Sequence, residues 1–191
     1  LSRYGEWTKK GGIVKINANK VGTKVLEWGD AHFDNLLKAE DTGTYLYRHE
    51  SQTNVPEFYK ADANLEGDVK ITNLGQQAEV YKLSQDKILV DYVSDHGVKL
   101  QGALYLPANY EPGKKYPTLV YFYEKLSQNF NRFSDPDVRR FNTTRFTSNG
   151  YAVFNPDIVY EVNDPGMSAL LNSNTPAVCL VGKSWDFHVD I

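Results

Sequence analysis

The sequence predicts a β-rich N-terminal half followed by a half of α/β character with a mainly parallel core. Three observations predict it. Up to residue 87, short runs that alternate apolar and polar residues are separated by Gly, Asn and Asp, the pattern of antiparallel strands and turns. From residue 88 the runs become continuously apolar, as in TLVYFY (118–123), YAVFNPDI (151–158) and AVCLV (177–181), which marks strands buried on both faces. The segments between those runs are long enough for helices or crossover connections.

Taken in order, Gly11 and Gly12 follow two lysines and read as a hairpin turn. KVLEW (24–28) reads as a strand closed by a polar turn at Gly29 and Asp30. TYLYRHE (44–50) alternates, with Tyr45 and Tyr47 on one face and Leu46 on the other. EFYKADA (57–63) follows Pro56 and DVKIT (68–72) follows Gly67, so 45–72 is predicted to form a meander of three strands. One such unit is clear and part of another is visible, and a propeller or a sandwich fits this pattern equally. A boundary near 84–95, opened by the polar SQDK, separates two predicted units, 1–87 and 88–191. In the second, ILVDYVS (88–94) and VKLQGALYLP (98–107) read as strands joined by the tight turn DHG (95–97). NYEPGKKYP then reads as a loop ahead of the first buried run.

Composition narrows the function classes. With 41% apolar residues in 191, the chain can bury a core and is not disordered. A formal net charge of -3 argues against a nucleic-acid partner, because phosphate binding needs a positive field. The one cysteine, Cys179, excludes an intrachain disulfide framework and a cysteine-rich metal site, and its apolar run AVCLV makes it a small buried hydrophobe. No apolar stretch approaches the roughly 20 residues of a membrane helix. No signal peptide is present, and the start at Leu1 leads us to expect that the true N-terminus lies upstream.

No P-loop or dinucleotide fingerprint occurs, and His32, His49 and His96 have no metal-ligand spacing, so neither cofactor nor metal is expected. Arg139, Arg140 and Arg145 around Phe141 read as a solvated helix face. Asp157 ends a core strand, where α/β folds gather functional loops, and reads as a turn or cap residue.

Several of these segments carry a resemblance. LQGALYLPANYEPGKKYPTLVYFYEKLSQ (100–128) resembles the opening of the catalytic domain of prolyl oligopeptidase family serine peptidases. NGYAVFNPDIVY (149–160) is similar to that domain's next core strand, and 42–77 to a late blade of the family's β-propeller. The resemblance spans about residues 1–168. It implies the end of a β-propeller followed by the first part of an α/β-hydrolase domain, within a longer protein.

The family's nucleophile lies in a G-x-S-x-G elbow, and GKSWD (182–186) is the matching segment, which makes Ser184 the candidate nucleophile. Two features depart from the pattern. The stretch from Gly166 to Gly182 is shorter than the family's helix there, and Asp186 replaces a glycine, at a strain cost of about 1–3 kcal/mol.

A serine nucleophile needs a base and an acid to orient that base. After Ser184 only Asp186, His188 and Asp190 remain, all on one local segment. At helical spacing Ser184 and His188 would be neighbours, but no acid would then reach the far side of the imidazole. His188 therefore reads as a solvated residue. The resemblance also implies an oxyanion hole, with the Tyr123 hydroxyl as one donor and the Trp185 backbone N–H as the other. Tyr121 lies deeper in the same run and reads as core.

What the resemblance implies is a serine-type peptidase that hydrolyses short peptides through an acyl-enzyme, with this chain inactive alone. It also implies a peptide as partner, a homo-oligomer of the full-length protein, and export to the periplasm or secretion. Two alternatives remain open at this stage: a non-catalytic β-rich binding module, and an esterase-type α/β-hydrolase.

Overall fold

The computed structural model describes residues 1–84 and 86–158. Ser184, Trp185, His188 and Cys179 lie outside the described residues, as do the run 177–181 and the elbow segment. The described chain is β-rich, with eleven strands in three sheets and two short α-helices.

The first sheet is an antiparallel ladder of β1 (Ser2–Tyr4), β2 (Gly11–Ile16) and β3 (Thr23–Gly29). Gly11 and Gly12 therefore lie within a strand and do not form the expected hairpin turn. The reason is close approach. A Cβ on Gly11 would stand 2.3 Å from the Ala31 carbonyl oxygen, and one on Gly12 would stand 2.1 Å from that of Glu27. Only glycine lets the neighbouring backbone come so near.

The second sheet runs in the order β4-β5-β6-β7, all antiparallel: β4 (His32–Lys38), β5 (Tyr45–Ser51), β6 (Asn54–Ala61) and β7 (Val69–Lys70). The predicted meander over 45–72 is present, with β4 added in front of it. β6 begins two residues before Pro56, and the β5–β6 register shifts between His49 and Ser51. A bulge is one of the few places in a sheet where a residue without an N–H is tolerated.

Between the first two sheets lies a core of Ile13, Ala31, Phe33, Tyr47, Ala61 and Leu65. Tyr47 stacks on Tyr59 with ring centroids 5.5 Å apart, and Phe33 stacks on His49 at 4.9 Å. These offset stacks add to plain burial. After β7 the chain is held by buried Glu57. Its carboxylate accepts from the Thr72 hydroxyl (2.5 Å) and from the Leu74 and Gly75 N–H groups (3.1 and 2.9 Å), which lead into the single-turn helix α1 (Gly75–Ala78).

The third sheet has the order β10-β11-β9-β8, from β8 (Lys87–Val93), β9 (Lys99–Tyr105), β10 (Thr118–Val120) and β11 (Ala152–Pro156). The DHG turn joins β8 to β9 as predicted, with Gly97 at φ 78 and its N–H bonded to Ser94 O. Among the described residues only β10 and β11 pair in parallel; the other two pairings are antiparallel. The mainly parallel core is thus met at one pair. A short turn can join only antiparallel neighbours, whereas β10 reaches β11 by a crossover through α2 (Thr143–Ser148).

Asn142 caps α2 by accepting from the Arg145 N–H at 2.8 Å. Arg145 alone of the three arginines is in this helix. Arg139 and Arg140 lie before it, tied to Asp137, so the expected common helix face is not formed. Phe141, Phe146 and Phe130 pack over Ala103, Tyr105 and Val153 to cover this sheet.

Candidate functional site

The candidate site lies where β10 and β11 end side by side. Strand assignment stops at Val120, but the chain keeps its course. The Tyr121 N–H donates to Phe154 O at 3.0 Å, and the Ile158 N–H donates to Glu124 O at 2.9 Å. Tyr123, the candidate oxyanion donor, is half-buried and falls between these two bonds. Tyr121, expected in the core, is half-buried and stacks on Phe141 at 4.1 Å at the edge of that cluster.

Asp157 holds the loop that follows. One carboxylate oxygen accepts the Leu126 and Ser127 N–H groups, both at 2.8 Å, and the other accepts the Ser127 hydroxyl at 2.5 Å. Asp157 therefore caps the 3₁₀ turn Ser127–Asn129 from another strand, in line with its reading as a cap. Both residues are buried.

The loop between β1 and β2 comes down onto the same rim. Glu6 pairs with Lys125, and this hydrogen bond holds the Glu6 carboxyl below its ordinary range. Trp7 O accepts from Gln101 Nε2 at 2.9 Å. Lys9 is 2% exposed and has a left-handed backbone with φ 57, a conformation that costs energy in a residue with a Cβ. Burial pulls its ammonium pKa down, against the attraction of Glu6 and Asp157. Tyr4 is pushed up to about 12, by burial first and then by Glu6 and Asp157.

A buried relay locks this loop. Asn131 donates to Lys9 O at 2.9 Å and accepts from Lys87 Nζ, which also donates to Phe130 O at 3.2 Å and lies 4.5 Å from the Phe130 ring centroid. Burial lowers the Lys87 pKa to about 8. A cleft of about 600 Å³ opens beside β8 and β9, walled by Trp7, Asp91, Lys99 and Gln101, and Tyr123 is not among its lining residues.

A separate charged cluster lies on β4 and β5. His32, Asp34 and Glu50 place their ligand-type atoms within 4.8 Å of one another. Arg48, however, grips both Asp34 oxygens (2.7 and 2.5 Å) and stands 3.9 Å from Glu50. Its guanidinium supplies the positive charge that a metal ion would bring, so the donor set is already matched. His32 Nε2 lies 3.3 Å from Asp34 Oδ2 without an aligned hydrogen bond. Burial, then Arg132, lowers the His32 pKa, while burial raises that of Glu50.

Sequence reading placed Tyr123 and Asp157 each at the end of a strand, and the structure brings the two ends together. It missed Glu6, Lys9 and Lys125. Glu6 and Lys125 are 119 positions apart, and no local pattern marks such a pair. The His32–Asp34 pairing did leave a signal: residues i and i+2 of a strand share a face.

No family model and no curated protein matches this chain. Solved structures do share its fold. The apo AtxE2 isopeptidase superposes with a TM-score of 0.60 at 12% identity, over 84% of this chain and 23% of that one. Porphyromonas gingivalis dipeptidyl peptidase 4 gives 0.55 at 16% identity, over 77% and 21%. Pyrococcus horikoshii acylaminoacyl peptidase gives 0.51 at 14% identity, over 77% and 21%. The chain thus spans about a quarter of the length of the structures it matches. At these identities the likeness is one of fold; the three structures are those of an isopeptidase, a dipeptidyl peptidase and an acylaminoacyl peptidase.

Proposed function

We propose that this chain is a segment of a serine-type peptidase that cleaves short peptides through an acyl-enzyme. In this reading residues 1–87 end a β-propeller and residues 88–191 begin an α/β-hydrolase domain. Ser184 is the nucleophile, and the Tyr123 hydroxyl and the Trp185 N–H hold the developing oxyanion. The observation that carries the reading is the likeness of fold to peptidases of known structure over 84% and 77% of this chain. The step from fold to activity is an analogy. What adds to it is that the Tyr123 loop is built as a rigid element, pinned by five hydrogen bonds to β11 and the residues just after it. An oxyanion donor must be held in place before charge develops.

The chain alone is inactive in this account. An amide resists a serine hydroxyl that has no base, and Asp186, His188 and Asp190 share one local segment with Ser184, which leaves no acid to orient the imidazole from its far side. The test is hydrolysis of Pro- and Ala-linked chromogenic peptides by the longer polypeptide that contains this chain. Turnover abolished by Ser184→Ala supports the reading. Hydrolysis of simple acyl esters but not peptides favours an esterase. Saturable peptide binding without turnover favours a binding module.

A further inference from the structure

The geometry points to Asp157 as a positioning residue for Tyr123: a carboxylate just past the end of one strand that fixes the loop leaving the neighbouring strand. This inference rests on the reading of Tyr123 as an oxyanion donor. It starts from a mismatch between what holds β10 and what holds the residues after it. Ladder pairing of β10 to β11 covers only Thr118, Leu119 and Val120. Beyond Tyr121, whose N–H still reaches Phe154 O, the backbone N–H groups of the loop need other acceptors.

Asp157 meets that need from across the strand gap. Its carboxylate accepts three hydrogen bonds from two consecutive loop residues, Leu126 and Ser127. Ser127 is fully buried and Asp157 nearly so, so water does not compete for these groups. Asp157 is itself immobilised. Its N–H donates to Gln101 O at 2.9 Å on β9, and its carbonyl accepts the Tyr92 hydroxyl from β8. The chain from β8 through Asp157 to the loop is continuous and rigid. Tyr123 sits three residues before the clamped pair, between the Phe154 and Ile158 bonds, so the clamp closes the loop on its far side.

A capping role alone would serve only the stability of the turn. A positioning role predicts more: the loss of Asp157 and the loss of the Tyr123 hydroxyl are the same loss. In the longer polypeptide, Tyr123→Phe should lower kcat about 10²- to 10³-fold with little change in KM, as for an oxyanion donor. Asp157→Ala should lower kcat about 10- to 100-fold, also at nearly constant KM. The double variant should be no slower than Tyr123→Phe, because the two act as one unit. If the losses multiply, the positioning role is overturned while Tyr123 stands. If Tyr123→Phe leaves kcat unchanged, the Tyr123 reading falls and this inference falls with it.

A second measurement needs no activity and covers an Asp157→Ala variant that does not fold. In the 191-residue chain labelled with 3-fluorotyrosine, the Tyr123 ¹⁹F resonance is assigned by its loss in Tyr123→Phe. Ser127→Ala removes one of the three clamp bonds and should shift that resonance. A resonance that stays in place would overturn the inference.

Discussion

Asn131 joins the β1–β2 loop to the third sheet, and replacing it gives a prediction with a pH signature. Asn131→Ala removes two hydrogen bonds at once, a buried one to Lys9 O and a partly buried one from Lys87 Nζ. The first is a neutral bond worth about 0.5–1.5 kcal/mol, and the second, from a charged donor, is worth about 1.5–3. The expected cost at pH 7 is therefore about 2–4 kcal/mol. The charged share depends on Lys87 holding its proton, and burial lowers that pKa to about 8. At pH 9.5 the amine is mostly neutral, both bonds are ordinary, and the cost should fall to about 1–3 kcal/mol.

The sign of the wild-type pH dependence follows from the same shift. Between pH 8 and about 10.4 the unfolded chain binds the Lys87 proton and the folded chain does not, so stability rises with pH there. Above pH 10 the phenols of buried Tyr47 and Tyr105 and half-buried Tyr92 reverse the trend, with exposed Tyr4 adding little. Their folded pKa values are raised, so the unfolded state loses protons first. Urea denaturation of wild type and Asn131→Ala at pH 7 and 9.5 measures the cost and the rise, and wild type above pH 10 measures the reversal. A cost under about 0.5 kcal/mol, or one that is the same at both pH values, would refute the relay.

Three further outcomes are expected. Gly12→Ala should cost about 1–3 kcal/mol or prevent folding, because the new methyl meets the Glu27 carbonyl at 2.1 Å; thermal melting checks it, and a tolerated alanine would restore the turn reading. His49→Phe keeps the stack on Phe33 and should weaken the loss of stability below pH 6.5. Burial lowers the His49 pKa, so the unfolded state takes the proton first as pH falls; equal slopes of Tm between pH 7.5 and 5.5 in both proteins would contradict this. Asn142→Ala should cost about 1–2 kcal/mol, since it removes the α2 cap and leaves Asp135 O without its donor; circular dichroism melts give the value, and an unchanged Tm would count against the cap.

Much of the fold was legible because period-two alternation and turn residues are local signals. The 45–72 meander and the β8–β9 hairpin both follow from them. β4 was not legible. Its register shifts between Asp34 and Leu37, and Asn35 takes φ 51, which breaks the alternation that would mark it. Gly11-Gly12 misled for a related reason: glycine signals either a turn or a close backbone approach, and only the neighbouring strand tells which.

At the site, the end of an apolar run located Tyr123, and a proline–aspartate pair located Asp157. The partners that fix the rim were not visible. The β1–β2 loop reaches Lys125 and Asn131 across more than a hundred residues of sequence.

The central claim is that Ser184 becomes a nucleophile only in a longer chain. Fluorophosphonate labelling, mapped to the modified residue by peptide mass spectrometry, tests it most directly. The account predicts a label on Ser184 in the longer polypeptide and none on the 191-residue chain. Labelling of the 191-residue chain at Ser184, accompanied by peptide turnover, would contradict it.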